Sequence, residues 1–269
     1  MNIIQRSVAI CVILTLLGLF ARAGSSKTVD EVLQFTVEKS KAYKDWTADV
    51  VQTISMGAGE MQQRGTMAFK IPSRMRMLLT MEMMGQSMTN LIVYGADGVM
   101  WTEINAMGQR QVMKIDAEGM KAAMARAGAD SQNPLDAGDP TKQLDAMKQM
   151  FDFSMGADEE LEGQPMYVLL GKAKNAPAAT KVAFPQGGAA RILIGQKDGF
   201  IHKIEMLDEA KKPVMVHEFR KLKFDTNVPD TEFQYTPPDG VQVMDMSKML
   251  APDAAPKAPA SETPPAGAK

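Results

Sequence analysis

Three small groups of side chains have the donor types that chemistry needs. Met81, Met83 and Met84, with Met88 across a turn, place thioethers close together. Thioether sulfur is a soft ligand, so such a cluster would suit Cu(I) in an oxidising compartment. The two histidines, His202 and His217, fall in neighbouring expected strands and could meet across a strand pair. A zinc site there would need carboxylates as its remaining ligands, and two surface histidines is the plainer expectation. Glu159 and Glu160 are adjacent, so they do not converge on one reacting centre and read as a solvated turn. No G-x-S-x-G, phosphate loop, H-E-x-x-H or paired-cysteine pattern occurs. The expectation is a binding protein rather than an enzyme, with no cofactor and no resident metal.

The strongest pattern is apolar. Met75, Met77, Leu79, Met81 and Met83 are spaced by two, so in a strand all five leave one face. Arg74, Arg76, Leu78, Thr80 and Glu82 form the mostly polar opposite row. This predicts an antiparallel strand with one apolar and one wet face. Methionine has a flexible thioether and makes an adaptable apolar surface, whereas Val or Ile would suit a rigid core. Packing alone would also explain a methionine row. Trp46 and Trp101 are expected as core anchors.

The rest of the chain must position this row. Arg6, the apolar run Val8 to Phe20 and Ala21-Arg22-Ala23 predict a signal peptide over 1–23, with a periplasmic protein starting at Gly24. The single cysteine, Cys11, lies inside that run, so the mature chain would have no disulfide. Cleavage removes Arg6 and Arg22 and no acid, leaving 28 basic against 32 acidic residues, a net charge of −4. That argues against nucleic acid as a partner. Residues 24–250 are expected to form one domain. The Ala/Pro-rich 251–269 reads as a disordered tail.

Thr28 and Glu31 form a capping box that opens a helix from Val29 to about Tyr43. Strands are expected over 45–56, 63–70, the methionine strand, 88–94, 99–104 and 111–115, with Pro72 in a turn, bulge or edge. The period then changes. A helix over 116–127 carries Met120 and Met124, and one starting at Asp139-Pro140 carries Leu144, Met147 and Phe151 on one face. Strands resume over 166–171, 191–196, 200–207 and 214–224. The fold class is α+β: a strongly curved antiparallel sheet, an incomplete β-barrel, with helices covering its concave face.

Several local motifs resemble the LolA/LolB-like superfamily of outer-membrane lipoprotein carriers. They are Asp45 to Gln52, Gly65 to Lys70 followed by Pro72 and Arg74, the Asp97-Gly98 hairpin with Trp101, Asp198-Gly199-Phe200-Ile201, and Phe233 to Val243 with Pro237-Pro238. The resemblance implies an apolar cavity for acyl chains of lipoproteins or other lipids, closed by a helical lid. It also implies an inner-membrane release complex and an outer-membrane acceptor as partners, and a monomer. An envelope sensor or structural module of the same fold is the alternative, beside the Cu(I) binder above.

On that basis the cavity row is expected to contain Met67, Phe69, Met75, Met77, Leu79, Met81 and Met83. Leu91, Val93 and Trp101 would stand beside it, and the lid would press Met120, Met124, Leu144, Met147 and Phe151 against it. Ile71 stands where the carrier has an arginine before the strand proline, so Arg74 or Arg76 is expected to make the lid contact.

Overall fold

The computed structural model describes residues 27–56, 59–83, 85–126, 148–149, 151–174 and 188–250. The signal segment, the tail, and Leu144 and Met147 lie outside the described residues, as do the side chains of Met83 and Met124.

Helix α1 spans Val29–Ala42 and begins with the expected capping box. The Glu31 amide donates to Thr28 Oγ1 at 3.3 Å, and the Thr28 amide donates to Glu31 at 2.7 Å. Strands β1 (Asp45–Met56), β2 (Gly59–Lys70), β3 (Arg74–Met83), β4 (Gln86–Tyr94), β5 (Val99–Ala106) and β6 (Gln109–Asp116) form a meander. Turn chemistry sets its corners. In the β4–β5 hairpin, Gly98 takes φ 73° and Asp97 accepts from the Val99 amide at 3.2 Å. Helix α2 (Ala117–Arg126) follows, then β7 (Phe151–Met155), β8 (Glu159–Leu161), β9 (Gln164–Ala173), β10 (Ala189–Gly195), β11 (Ile201–Leu207) and β12 (Pro213–Phe224). A 3-10 turn (Asp230–Phe233), β13 (Val243–Asp245) and α3 (Met246–Leu250) end the described chain.

The strands form one curved, unclosed sheet in the order β13-β6-β5-β4-β3-β2-β1-β12-β11-β10-β9-β7, with β8 paired to β9. Neighbours are antiparallel except β13, which runs parallel to β6. The meander strands β1 to β6 make one half, and β12 pairs with β1 to join the other.

Helix α1 defines the inner face. It buries Val32 and Leu33 against Tyr167, Leu169, Ile192 and Ile194 of β9 and β10. Each such side chain contributes about 1.5–3 kcal/mol when fully buried. The C-terminal end of the helix is tied down by Tyr43, which stacks on Phe224 at 4.0 Å and donates to the Asp198 carbonyl at 3.0 Å. Trp46 lies beside Phe69 (5.7 Å) and Phe200 (4.9 Å), which fits its expected anchoring role.

The outer face of the same half carries a small apolar cluster, Met166, Val168 and Leu193 with Leu161, beside a network of charged residues. Arg191 pairs with Glu159 and Glu205, and Lys203 bridges Glu205 (2.8 Å) and Glu218 (3.4 Å). Burial alone would push the Glu205 carboxyl up, but Lys203 and Arg191 hold it below its usual range. Glu159 is therefore an ion-pair partner rather than a solvated turn residue.

After β12 the chain crosses the outer face. Asp45, only 2 % exposed, turns it there. Its carboxylate accepts from the Thr226 amide (2.7 Å), the Thr226 hydroxyl (2.8 Å) and the Val228 amide (3.3 Å). Lys70 then donates to Asp230 at 2.5 Å. Phe233 is 2 % exposed.

Candidate functional site

Cross-strand pairing decides which residues share the inner face. Trp46 of β1 faces Phe69 of β2, which faces Met75 of β3, which faces Tyr94 of β4. The next rung is Ala48, Met67, Met77 and Ile92, continuing to Thr102 and Met113. Val50, Gly65, Leu79, Asn90 and Ile104 make a third rung, and Gln52, Gln63, Met81 and Met88 a fourth. The predicted row of Met67, Phe69, Met75, Met77, Leu79 and Met81 thus shares one face, the face that carries α1 in the other half.

Burial grades along it. Leu79 and Met81 are each 5 % exposed, while Met67, Phe69, Met75, Met77 and Ile92 remain half-buried. The tract is apolar apart from Gln52, Gln63, Asn90, Thr102 and, at its β6 edge, Gln111. The Asn90 Oδ1 is buried without a hydrogen-bond partner among the described residues. The structure thereby brings together a broad methionine-rich surface wider than the β3 row alone.

Three expected members are elsewhere. Leu91 pairs with Leu78, Val93 with Arg76, and Trp101 with Val93, so all three lie on the outer face. Both rows of β4 are apolar, so alternation does not choose between them. The crossing segment covers the outer row: Val93 is 0 % exposed, and Trp101 packs on Tyr235 at 5.4 Å. The Tyr235 hydroxyl donates to Glu103 at 2.5 Å, and burial followed by that carboxylate pushes the phenol up.

The arginines also differ from expectation. Arg74 and Arg76 belong to the outer row, away from the methionines. Arg74 pairs with Asp230 at 2.6 Å and Arg76 with Glu232 at 3.6 Å. They clamp the crossing segment instead of a lid. Hydrogen bonds from Lys70 and Arg74 bring the Asp230 carboxyl down to about 2.

Phe151 is not on a helix. It opens β7 and packs with Ala190 and Met206 at the far end of the inner face. Phe151, Phe153 and Met155 alternate, and the helical spacing from Leu144 masked that period. Met120 is buried on α2, which packs on α3, where Ser247 Oγ accepts from the Asp116 amide at 2.8 Å.

The histidines are not surface residues. His202 is buried and bonded to Asp198 at 3.0 Å. His217 is half-buried on the inner face, with Nε2 3.1 Å from Met215 Sδ and 3.3 Å from Gln52 Nε2. Burial holds its imidazole below the usual range. Sequence spacing shows Met215-x-His217, but only the β1–β12 register reveals Gln52 opposite. Of the thioethers first considered for copper, Met81 and Met88 are cross-strand partners. Met84 lies outside the described residues.

No family model matches the chain, and no curated protein matches it in sequence. Solved structures do match. An uncharacterised conserved protein from Thermus thermophilus is 15 % identical over 80 % of this chain and 98 % of its own, with a TM-score of 0.48. A LolA superfamily protein from Nitrosomonas europaea is 11 % identical over 78 % of this chain and 99 % of its own, at 0.29. The MucA/MucB complex of Pseudomonas aeruginosa gives 12 % identity over 77 % of this chain, at 0.39. This chain spans 60 % of that protein's length. All three TM-scores lie below 0.5, so neither family, cargo nor partner follows from these likenesses.

Proposed function

We propose that this chain is a non-enzymatic periplasmic carrier or binding protein for the acyl chains of lipoproteins or other lipids. One observation carries the reading: the half-buried methionine tract on the inner face of β2 to β6. A folded protein rarely leaves so many neighbouring apolar side chains part-exposed without a ligand or partner for them. Among the described residues, α1 packs at the other end of the sheet, on β9 and β10.

An acyl chain laid on that tract gains about 0.8 kcal/mol per buried methylene. A long chain thus gains on the order of 10 kcal/mol before the costs of ordering both partners. Thioethers repack around chains of different length at little cost.

The direct test is mass spectrometry of organic extracts from protein purified from its own cell envelope. Acyl-bearing molecules near one per protein would support the reading. Protein that leaves the envelope free of such molecules, and takes none up from detergent-solubilised lipid, would contradict it.

A further inference from the structure

We infer that Met215 and His217 form a binding site for a soft monovalent cation, Cu(I) or Ag(I), on the inner face of β12. The site is distinct from the Met81–Met88 pair and does not depend on the acyl-chain reading.

The two side chains leave the same strand two residues apart, and their donor atoms converge. His217 Nε2 and Met215 Sδ are 3.1 Å apart. Thioether sulfur and imidazole nitrogen are the donors that Cu(I) prefers. Neither brings charge into the apolar face when it ligates a cation. The long, freely rotating Met215 side chain can open around an ion without moving the backbone.

A third donor stands across the strand pair. Gln52 faces His217 in the β1–β12 register, with its amide 3.3 Å from Nε2. Turning that amide by half a turn presents its carbonyl oxygen instead. Met206 of β11 faces Met215 and offers a further thioether on the same side.

The same set disfavours the common hard cations. The register partners of Met215 and His217 are Ile54, Gln52, Met206 and Ile204, and none is a carboxylate. Calcium and magnesium need oxygen-rich ligands, and zinc needs further histidine, cysteine or carboxylate ligands beside His217, none of which this rung supplies. The half-buried position leaves the site reachable while shielding it from bulk water.

The test is an anaerobic Cu(I) titration of the full mature chain against a chromogenic Cu(I) chelator, repeated with Ag(I) as a redox-inert probe. The parent should withhold one equivalent from the chelator, with nitrogen and sulfur in the X-ray absorption spectrum of the bound copper. Met215→Leu, which keeps the packing, and His217→Gln, which keeps a polar group, should each weaken binding at least tenfold. Met81→Leu should leave it unchanged. If His217→Gln fails to fold, the Met215→Leu result decides alone. The inference is overturned if the parent withholds no metal, or if Met215→Leu holds copper as tightly as the parent. A loss confined to Met81→Leu would also overturn it, by assigning the metal to the other thioether pair.

Discussion

Gly65 of β2 lies so close to Leu78 of β3 that a Cβ at Gly65 would stand 1.7 Å from the Leu78 carbonyl oxygen. That neighbour is backbone and cannot swing aside. Gly65 also sits between Val50 and Leu79 on the inner face, so the glycine lets β2 and β3 approach at the centre of the methionine tract. Gly65→Ala should therefore force the two strands apart. We expect a loss of about 1–3 kcal/mol in urea unfolding, with weaker amide protection in β2 and β3. An unchanged midpoint would show that the strands tolerate a Cβ there.

Asp45 offers a second test. Its buried carboxylate accepts three hydrogen bonds from Thr226 and Val228, where the chain turns from β12 onto the outer face. Asp45→Asn replaces one acceptor oxygen with a donor that meets other donors. The expected loss is about 1–3 kcal/mol. Tyr235 and Trp101 should become more accessible, and near-ultraviolet circular dichroism reports both. A variant as stable as the parent would remove Asp45 as the anchor of this crossing.

The clamp on Asp230 makes stability depend on pH. Its carboxyl is lowered from 3.8 to about 2 by Lys70 and Arg74. A depressed folded-state pKa means that the unfolded chain takes up the proton first. The contribution of the clamp is thus full above pH 3.8 and disappears as pH falls through about 2. Asp230→Asn should flatten the acid limb of the stability curve in that window relative to the parent. The exposed pair should also weaken with added salt. Parallel acid limbs for parent and variant would contradict the pairing.

How much of this was legible in the sequence depends on the strand. In β3 one row is four methionines and Leu79 and the other holds both arginines, so its phase is unambiguous. In β4 both Leu91/Val93 and Ile92/Tyr94 are apolar, and only pairing with β3 and β5 assigns them. The crossing segment from 225 to 243 has no period to read, so neither the burial of Val93 nor the role of Arg74 could be anticipated. Likewise, a lone acid at a strand start, as Asp45 is, gives no sign of burial. The capping box of α1 was fully readable because its partners lie three residues apart.

The central claim is that the inner face of β2 to β6 holds an acyl chain, and titration with a fluorescent fatty acyl probe tests it most directly. Met77 is half-buried at the middle of the tract, whereas Thr80 lies on the same strand but on the outer face. Leu79 is too deeply buried for a charge there to separate binding from folding. Met77→Glu places a carboxylate where the chain would exclude water, and desolvating that charge is costly. The account predicts binding by the parent and by Thr80→Glu, and at least tenfold weaker binding by Met77→Glu with its melting behaviour retained. A parent that binds no probe, or a Met77→Glu variant that binds as well as the parent, would contradict it.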